Sequence, residues 1–245
     1  DGTSAHDFGA SGYNFVSWNW KAGGGLASIN TAGTRNSVVS ANAAAGFSIV
    51  KWTGDNNTAT IGHGLNAAPE LIIVKKTSAG SDWPVYSSGL TSAAYRLVLN
   101  STDSQSTTND EWNSTAPTST VFSVGSGGNV SDNGQSFIGY CFTSIAGYSK
   151  VGSYTGSNSS GKYEATGFQP SFLMIKSTNL NGSYWMMFDD KRVSGSNKLP
   201  LYADGSYAEG SGINISFDAN GFTLNTTDVN VNAAYEYIYI AIKEN

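Results

Sequence analysis

Phe137-Ile138-Gly139-Tyr140-Cys141-Phe142 is the stretch on which the fold turns. In an extended strand, Ile138, Tyr140 and Phe142 share one face at period two, with Gly139 and Cys141 on the other. The pattern returns near the C-terminus, where Ile238, Ile240 and Ile242 alternate with Tyr239 and Ala241. It also occurs near the N-terminus, where Val16, Trp18 and Trp20 alternate with Ser17 and Asn19. The first set is large and apolar throughout, so that face is expected to be core. The opposite face is mostly small, which implies that something packs closely on it.

Other blocks repeat with the same order and an offset near 100. Trp52-Thr53-Gly54 recurs as Tyr154-Thr155-Gly156. Pro69 with Leu71-Ile72-Ile73-Val74 recurs as Pro170 with Phe172-Leu173-Met174-Ile175. Turn signals such as Asp132-Asn133-Gly134, Asn181-Gly182, Asp204-Gly205 and Asn220-Gly221 separate the blocks. No segment keeps a 3.6-residue apolar period. The expected fold is all-β and antiparallel: two tandem homologous sandwiches of the jelly-roll or lectin-like kind, at residues 46–146 and 147–245. Whether each repeat is its own sandwich or both share one body is open at this point, with two sandwiches side by side preferred. Residues 1–45 are expected to hold the closing strand of a preceding partial repeat, at 15–20, and then a Gly/Ala/Ser-rich linker. That strand is expected to pair within a sheet, because Trp18 and Trp20 carry too much apolar area to leave in water. Asp1 begins abruptly, as a processed product or a piece of a longer polypeptide would.

Composition agrees. Charged residues are 13%, against a usual ~25%. The 35 Ser, 21 Thr and 23 Asn carry most of the polarity and favour turns and strands over helices. Aromatics reach 12%, which argues against disorder. Net charge is −5 with no basic stripe, so nucleic-acid binding is not expected. No apolar run is long enough for a membrane helix, so membrane insertion is not expected either. The single cysteine, Cys141, excludes an intrachain disulfide. His6 and His63 are too few and too far apart for a His-based metal site.

Catalytic constellations are weak. His63, in Gly62-His63-Gly64, reads as a loop or structural histidine, since no nucleophile-elbow motif accompanies it. Asp110-Glu111 and Asp189-Asp190 are the only adjacent acid pairs, and adjacent strand residues point to opposite faces. Asp190-Lys191-Arg192 reads as a solvated, self-neutralised turn. No catalytic residue, metal site or cofactor is therefore assigned. Calcium at Asp55-Asn56-Asn57 or Asp132-Asn133 is possible by atom type but lacks the spaced acidic pattern. Sugars stack on aromatic rings while short polar side chains satisfy their hydroxyls. Trp112 in a polar stretch with Asp110 and Asn113, and Tyr207 in Ser206-Tyr207-Ala208-Glu209, have no counterpart in the other repeat. Trp112, Tyr207, Asn113 and Asp110 are the candidate ligand-binding residues, with Trp112 and Tyr207 expected to be exposed.

Residues 13–23, residues 46–54, the Gly62-His63-Gly64-Leu65 turn with Pro69, Ile72, Val74 and Lys75, and residues 148–156 carry a resemblance. The chain resembles an uncharacterised domain family found, often in tandem, in tail-fibre and other structural proteins of tailed bacteriophages, especially marine ones. The resemblance implies a non-enzymatic virion structural or attachment module with a lectin-like sandwich. Such a module is assembled in the host cytoplasm and works at the virion surface outside the cell. Implied partners are further copies of itself, as a trimer if it belongs to a fibre, other virion proteins, and host-surface glycans held by an aromatic and amide-rich face. A scaffold or decoration protein without ligand, and a polysaccharide depolymerase, are the alternatives. A depolymerase would need two carboxylates, or one with a Tyr or His, converging in a cleft.

Overall fold

A computed structural model describes residue 12 and residues 14–107 and 110–244. Expectations attached to Asp1 and His6 lie outside the described residues. In chain order the strands are β1 (Ser28–Asn30), β2 (Ser37–Asn42), β3 (Phe47–Thr53), β4 (Ala59–Gly62), β5 (Leu71–Lys76), β6 (Pro84–Ser87), β7 (Tyr95–Val98), β8 (Ser106–Thr107), β9 (Val121–Val124) and β10 (Ser136–Phe142). They continue with β11 (Ser149–Thr155), β12 (Lys162–Ala165), β13 (Phe172–Ser177), β14 (Met186–Asp189), β15 (Val193–Ser194), β16 (Asn197–Lys198), β17 (Leu201–Tyr202), β18 (Ile213–Asp218), β19 (Gly221–Leu224) and β20 (Glu236–Ile242). One 3₁₀ turn, Ala43–Ala45, is the only helical element among the described residues. The chain is all-β, and neighbouring strands in the large sheets pair antiparallel.

Two large sheets dominate. The first runs β1-β2-β3-β10-β5-β6-β7-β8 and the second β11-β20-β13-β14-β17. A two-stranded sheet, β4-β9, covers the outer face of the first, and a five-stranded one, β12-β19-β18-β16-β15, covers the outer face of the second. The strand order β3-β10-β5-β6-β7 in one half runs parallel to β11-β20-β13-β14-β17 in the other.

Alternation explains the layers. On β10, Phe137 and Cys141 enter a core with Trp52, Ile61, Ile72 and Phe122. On β20, Tyr237, Tyr239 and Ala241 enter the equivalent core with Tyr154, Leu173 and Phe222. The small face admits large rings: a methyl on Gly139 would stand 3.1 Å from the Trp52 ring, and one on Gly152 2.6 Å from Tyr239. Burial of Cys141 among these groups pushes its thiol up to about 12, so it stays an unreactive thiol.

The large apolar face has a different partner from the one anticipated. Ile238, Ile240 and Ile242 pack with Phe172, Met174 and Trp185 of their own half and with Leu71, Val85 and Leu97 of the first. The halves therefore stack face to face through a third apolar layer, where a side-by-side arrangement was expected. Polar contacts run along the same junction. Trp185 Nε1 donates to the Val98 carbonyl at 2.9 Å. Lys176, fully buried, donates to the Thr102 carbonyl at 3.0 Å and to that of Ser183. Burial pulls the Lys176 ammonium down to about 8.

The repeated Trp/Tyr-Thr-Gly blocks form the same local device twice. Trp52 Nε1 donates to the Val130 carbonyl, and the Tyr154 hydroxyl to that of Val231. Gly54 N–H donates to Gln135 O and Gly156 N–H to Tyr235 O. Asn56 and Asn158 then turn the chain at φ 60° and 51°. A side chain on Gly54 or Gly156 would run into the carbonyl of Asp132 or Ala233. Glycine is required there by close backbone approach.

Two expectations for residues 1–45 need correction. Residues 15–20 are not a strand. In both halves the central slot of the large sheet is already filled, by β10 and β20, so this segment has no sheet position to take. Its rings are half-buried by another route. Trp18 packs edge-on to Phe172 at 5.3 Å, and Trp20 meets Phe172 at 5.5 Å and Phe142 at 6.3 Å. The supposed linker, in turn, forms β1 and β2 and extends the first sheet beyond β3.

Candidate functional site

The four sequence-derived candidates separate. Trp112 is 1% exposed, inside the first core, edge-on to Tyr86 at 5.9 Å. The expectation that it is an exposed platform is wrong. The turn at 110–114 points Glu111 and Trp112 inward while Asp110 and Asn113 face solvent, so a polar neighbourhood did not imply a polar position for the ring. Burying an indole is worth more than any contact it would keep at the surface. Glu111 is buried beside it and pairs with Arg96 of β7. Only Tyr207 is exposed as expected, at 59%, and it lies on the second half. The four residues do not form one site.

Other titratable candidates are structural. Asp189 is buried, accepts N–H bonds from Lys191 and Arg192, and pairs with the Arg192 Nε at 2.7 Å. Burial alone would raise its carboxyl, but these Arg192 and Lys191 contacts hold it below the ordinary range. Asp190 turns outward to Lys191 at 3.1 Å. The loops considered for calcium are tied to cations already present: Asp55 pairs with Arg35, and Asp132 with Lys76 at 2.9 Å.

His63 is buried. Its Nε2 bonds the Thr118 carbonyl at 3.1 Å, and its Nδ1 accepts from Leu65 N–H at 3.2 Å. These partners assign the proton to Nε2, and protonating Nδ1 would break the Leu65 bond. Burial lowers the His63 pKa below 6.5, against the opposing pull of the Thr118 carbonyl. The unfolded chain therefore binds a proton that the folded chain refuses. The contribution to stability is complete above pH 6.5 and is lost as pH falls below it, by at most about 1.4 kcal/mol per pH unit. Melting followed from pH 7 to pH 5 should show this decline, and His63→Gln should flatten it. An identical pH dependence in the variant would assign the effect elsewhere.

Tyr207 belongs to a group of three. Tyr184 stands before β14, Tyr202 ends β17, and Tyr207 follows the Asp204-Gly205 turn. Their ring centroids are 5.2, 5.5 and 5.6 Å apart, each pair edge to face at 70–79°. Gly205 makes this possible, because a side chain there would strike the Tyr207 ring. The rims are held by backbone. Tyr184 N–H donates to Asn230 Oδ1 at 3.1 Å, and Asn230 N–H donates to Asp228 Oδ1 at 2.8 Å. Gly210 N–H to Pro200 O, and Arg192 to Glu209 at 2.8 Å, anchor the loop that carries Tyr207.

Asp204 lies beneath this group. Its Oδ1 accepts from Trp185 N–H at 3.2 Å, and its Oδ2 is buried without a hydrogen-bond partner among the described residues. Burial raises its pKa, against the pull of the Trp185 N–H and the Lys176 ammonium. The hydrogen bond with Tyr207 raises the Tyr184 phenol first of all. Burial, then the charges of Asp228 and Asp204, raise Tyr202. The cluster presents the Tyr207 ring to solvent with Tyr184 and Tyr202 half-buried behind it, and an exposed ring can stack on the apolar face of a sugar while nearby polar groups bond its hydroxyls.

Sequence reasoning missed Tyr184, which falls in a stretch at 184–188 matched to residues 83–86, and Tyr202, which it did not single out. The available signal was three tyrosines between positions 184 and 207, a density the first half lacks. Among the described residues no three His, Cys, Asp or Glu side chains gather as a metal-binding group. No curated protein and no solved structure matches the chain. Its whole length, residues 1–245, matches one family, and the chain is thus a member of the family described as a domain of unknown function, DUF7483.

Proposed function

We propose that the chain is a non-enzymatic structural or attachment module of a virion surface, and that the Tyr184–Tyr202–Tyr207 cluster binds a sugar ring of a host-surface glycan through its exposed ring, Tyr207. The observation that carries the glycan reading is the cluster itself: three edge-to-face tyrosines, with Tyr207 open to solvent. Support for the virion setting is the resemblance carried by the repeated blocks, together with a sheet-rich chain of sparse charge that needs no disulfide. The strand order common to both halves supports an origin by duplication. The two acid pairs considered for hydrolysis favour binding over chemistry, because each splits between interior and surface.

A glycan array with the intact chain tests this. Tyr207→Ala should weaken binding at least tenfold, about 1.4 kcal/mol, and lower stability by only about 1–3 kcal/mol through the lost contacts with Tyr184 and Tyr202, so that binding is compared on folded protein, with the melting curve as the control. Undiminished binding by the variant would move the site elsewhere, and no binding by the wild type would favour a scaffold without ligand. Asp204 favours a second reading. A carboxyl raised by burial beside tyrosines is the combination a polysaccharide depolymerase would use. Release of reducing ends or unsaturated sugars from a host polysaccharide, abolished by Asp204→Asn, would decide for the enzyme.

A further inference from the structure

The first hairpin presents an edge that no other strand pairs with among the described residues. β1 is the terminal strand of the eight-stranded sheet, and among the described residues nothing pairs with its outer side. Leu26 is 100% exposed, Ile29 73% and Val38 41%. Ile29 and Val38 are direct cross-strand partners, so they form one apolar patch on one face.

This edge is held rigidly. Thr34 N–H donates to Thr60 Oγ1 at 2.8 Å and Thr60 N–H to Thr34 Oγ1 at 2.9 Å. Ser37 Oγ donates to the Gly62 carbonyl at 2.7 Å. The Asn30 side chain fills the space that only glycine leaves at position 62. The hairpin is therefore fastened to β4 on its inner side, while its outer edge is unpaired among the described residues.

Natural proteins blunt such edges by keeping the strand very short, or with lysine, proline, bulges or a covering loop, and β1 is three residues long. Here residues 22–34 contain no charge and no proline, and Arg35, the only charge between 22 and 50, is turned inward to Asp55. In a chain of net charge −5, most surfaces of two copies repel. The uncharged edge does not. An antiparallel edge is also its own complement about a two-fold axis, as an isologous interface requires.

We propose that the β1 edge is the surface through which a second copy of this chain docks, joining the two first sheets by antiparallel strand addition and covering Leu26, Ile29 and Val38. Backbone hydrogen bonds supply the pairing, and the apolar patch supplies the buried area.

Light scattering on the full chain tests this at concentrations up to about 100 µM, enough to populate a dimer of lower Kd. The expected mass is twice 25.7 kDa. Leu26→Lys with Ile29→Lys places like charges across the axis and should weaken self-association tenfold or more. Both side chains are exposed, so the melting temperature of dilute protein should not change. Val193→Lys with Val229→Lys makes the same charge change at exposed apolar residues elsewhere and should leave the dimer intact. A wild type that stays at the single-chain mass, or an oligomer that survives the edge variant, would overturn the proposal.

Discussion

Replacing Trp185 with alanine is expected to destabilise the chain by about 3–5 kcal/mol, the range for removing a buried large aromatic. Trp185 is 1% exposed and stands where the two large sheets meet. Its ring packs in the shared apolar layer, and its Nε1–H satisfies the Val98 carbonyl of β7 at 2.9 Å. Alanine leaves a cavity between the halves and a buried carbonyl without its donor. In a chain of this length each kcal/mol moves the melting midpoint by about 2–4 °C, so a fall of roughly 6–20 °C is expected. Trp185→Phe separates the two contributions. It keeps most of the packing and loses the hydrogen bond, worth about 1 kcal/mol. Differential scanning calorimetry reads both variants. An alanine variant that melts within a degree or two of the wild type would show that the face-to-face layer contributes little.

Arg96→Ala is expected to cost about 3 kcal/mol, because it strands a carboxylate. Glu111 keeps only 4% of its side-chain surface in water and pairs with the Arg96 guanidinium. Its remaining side-chain hydrogen bond is from Asn129 Nδ2 at 3.4 Å, which is too long to replace a cation. Its other oxygen, Oε2, is buried without a hydrogen-bond partner among the described residues. The lower end of the range for broken buried pairs applies, because Arg96 itself retains 24% exposure. Replacing both residues, Arg96→Met with Glu111→Leu, should recover most of the loss, since a buried pair is often no better than well-packed apolar groups. Urea denaturation of the two single variants and the double variant gives the coupling between them. Losses that simply add would mean that the pair makes no energetic contact.

These two sites differ in how far the residues announce them. Trp185 matches Trp83 of the first half, in the blocks 83–86 and 184–188 that keep the same order and offset, and an architectural role follows from that repetition. Glu111 and Trp112 gave the opposite impression, because asparagine, aspartate and serine surround them. A turn can send two consecutive residues inward and leave their neighbours outside, so the polarity of neighbours says little about which way one side chain points. Tyr207 was legible as an exposed ring without a counterpart. Its partners Tyr184 and Tyr202 were not, because the three meet only after the Asp204-Gly205 turn folds back over β14 and β17.

By itself the sequence determined the strand content, the alternation of large and small faces, and the repeated Trp52-Thr53-Gly54 and Tyr154-Thr155-Gly156 devices. These follow from covalent geometry: a strand has a period of two, and glycine alone tolerates a carbonyl against its Cα. Tertiary structure alone decided what each face meets. Ile238, Ile240 and Ile242 read as core, but only the fold shows that their core is the junction between halves. Residues 15–20 carry a strand pattern and form none, because β10 and β20 already hold the central slots, whereas residues 28–42, which read as linker, supply two strands. Pairing depends on which edges are free, and a free edge is a property of the assembled sheet, not of the segment that might join it.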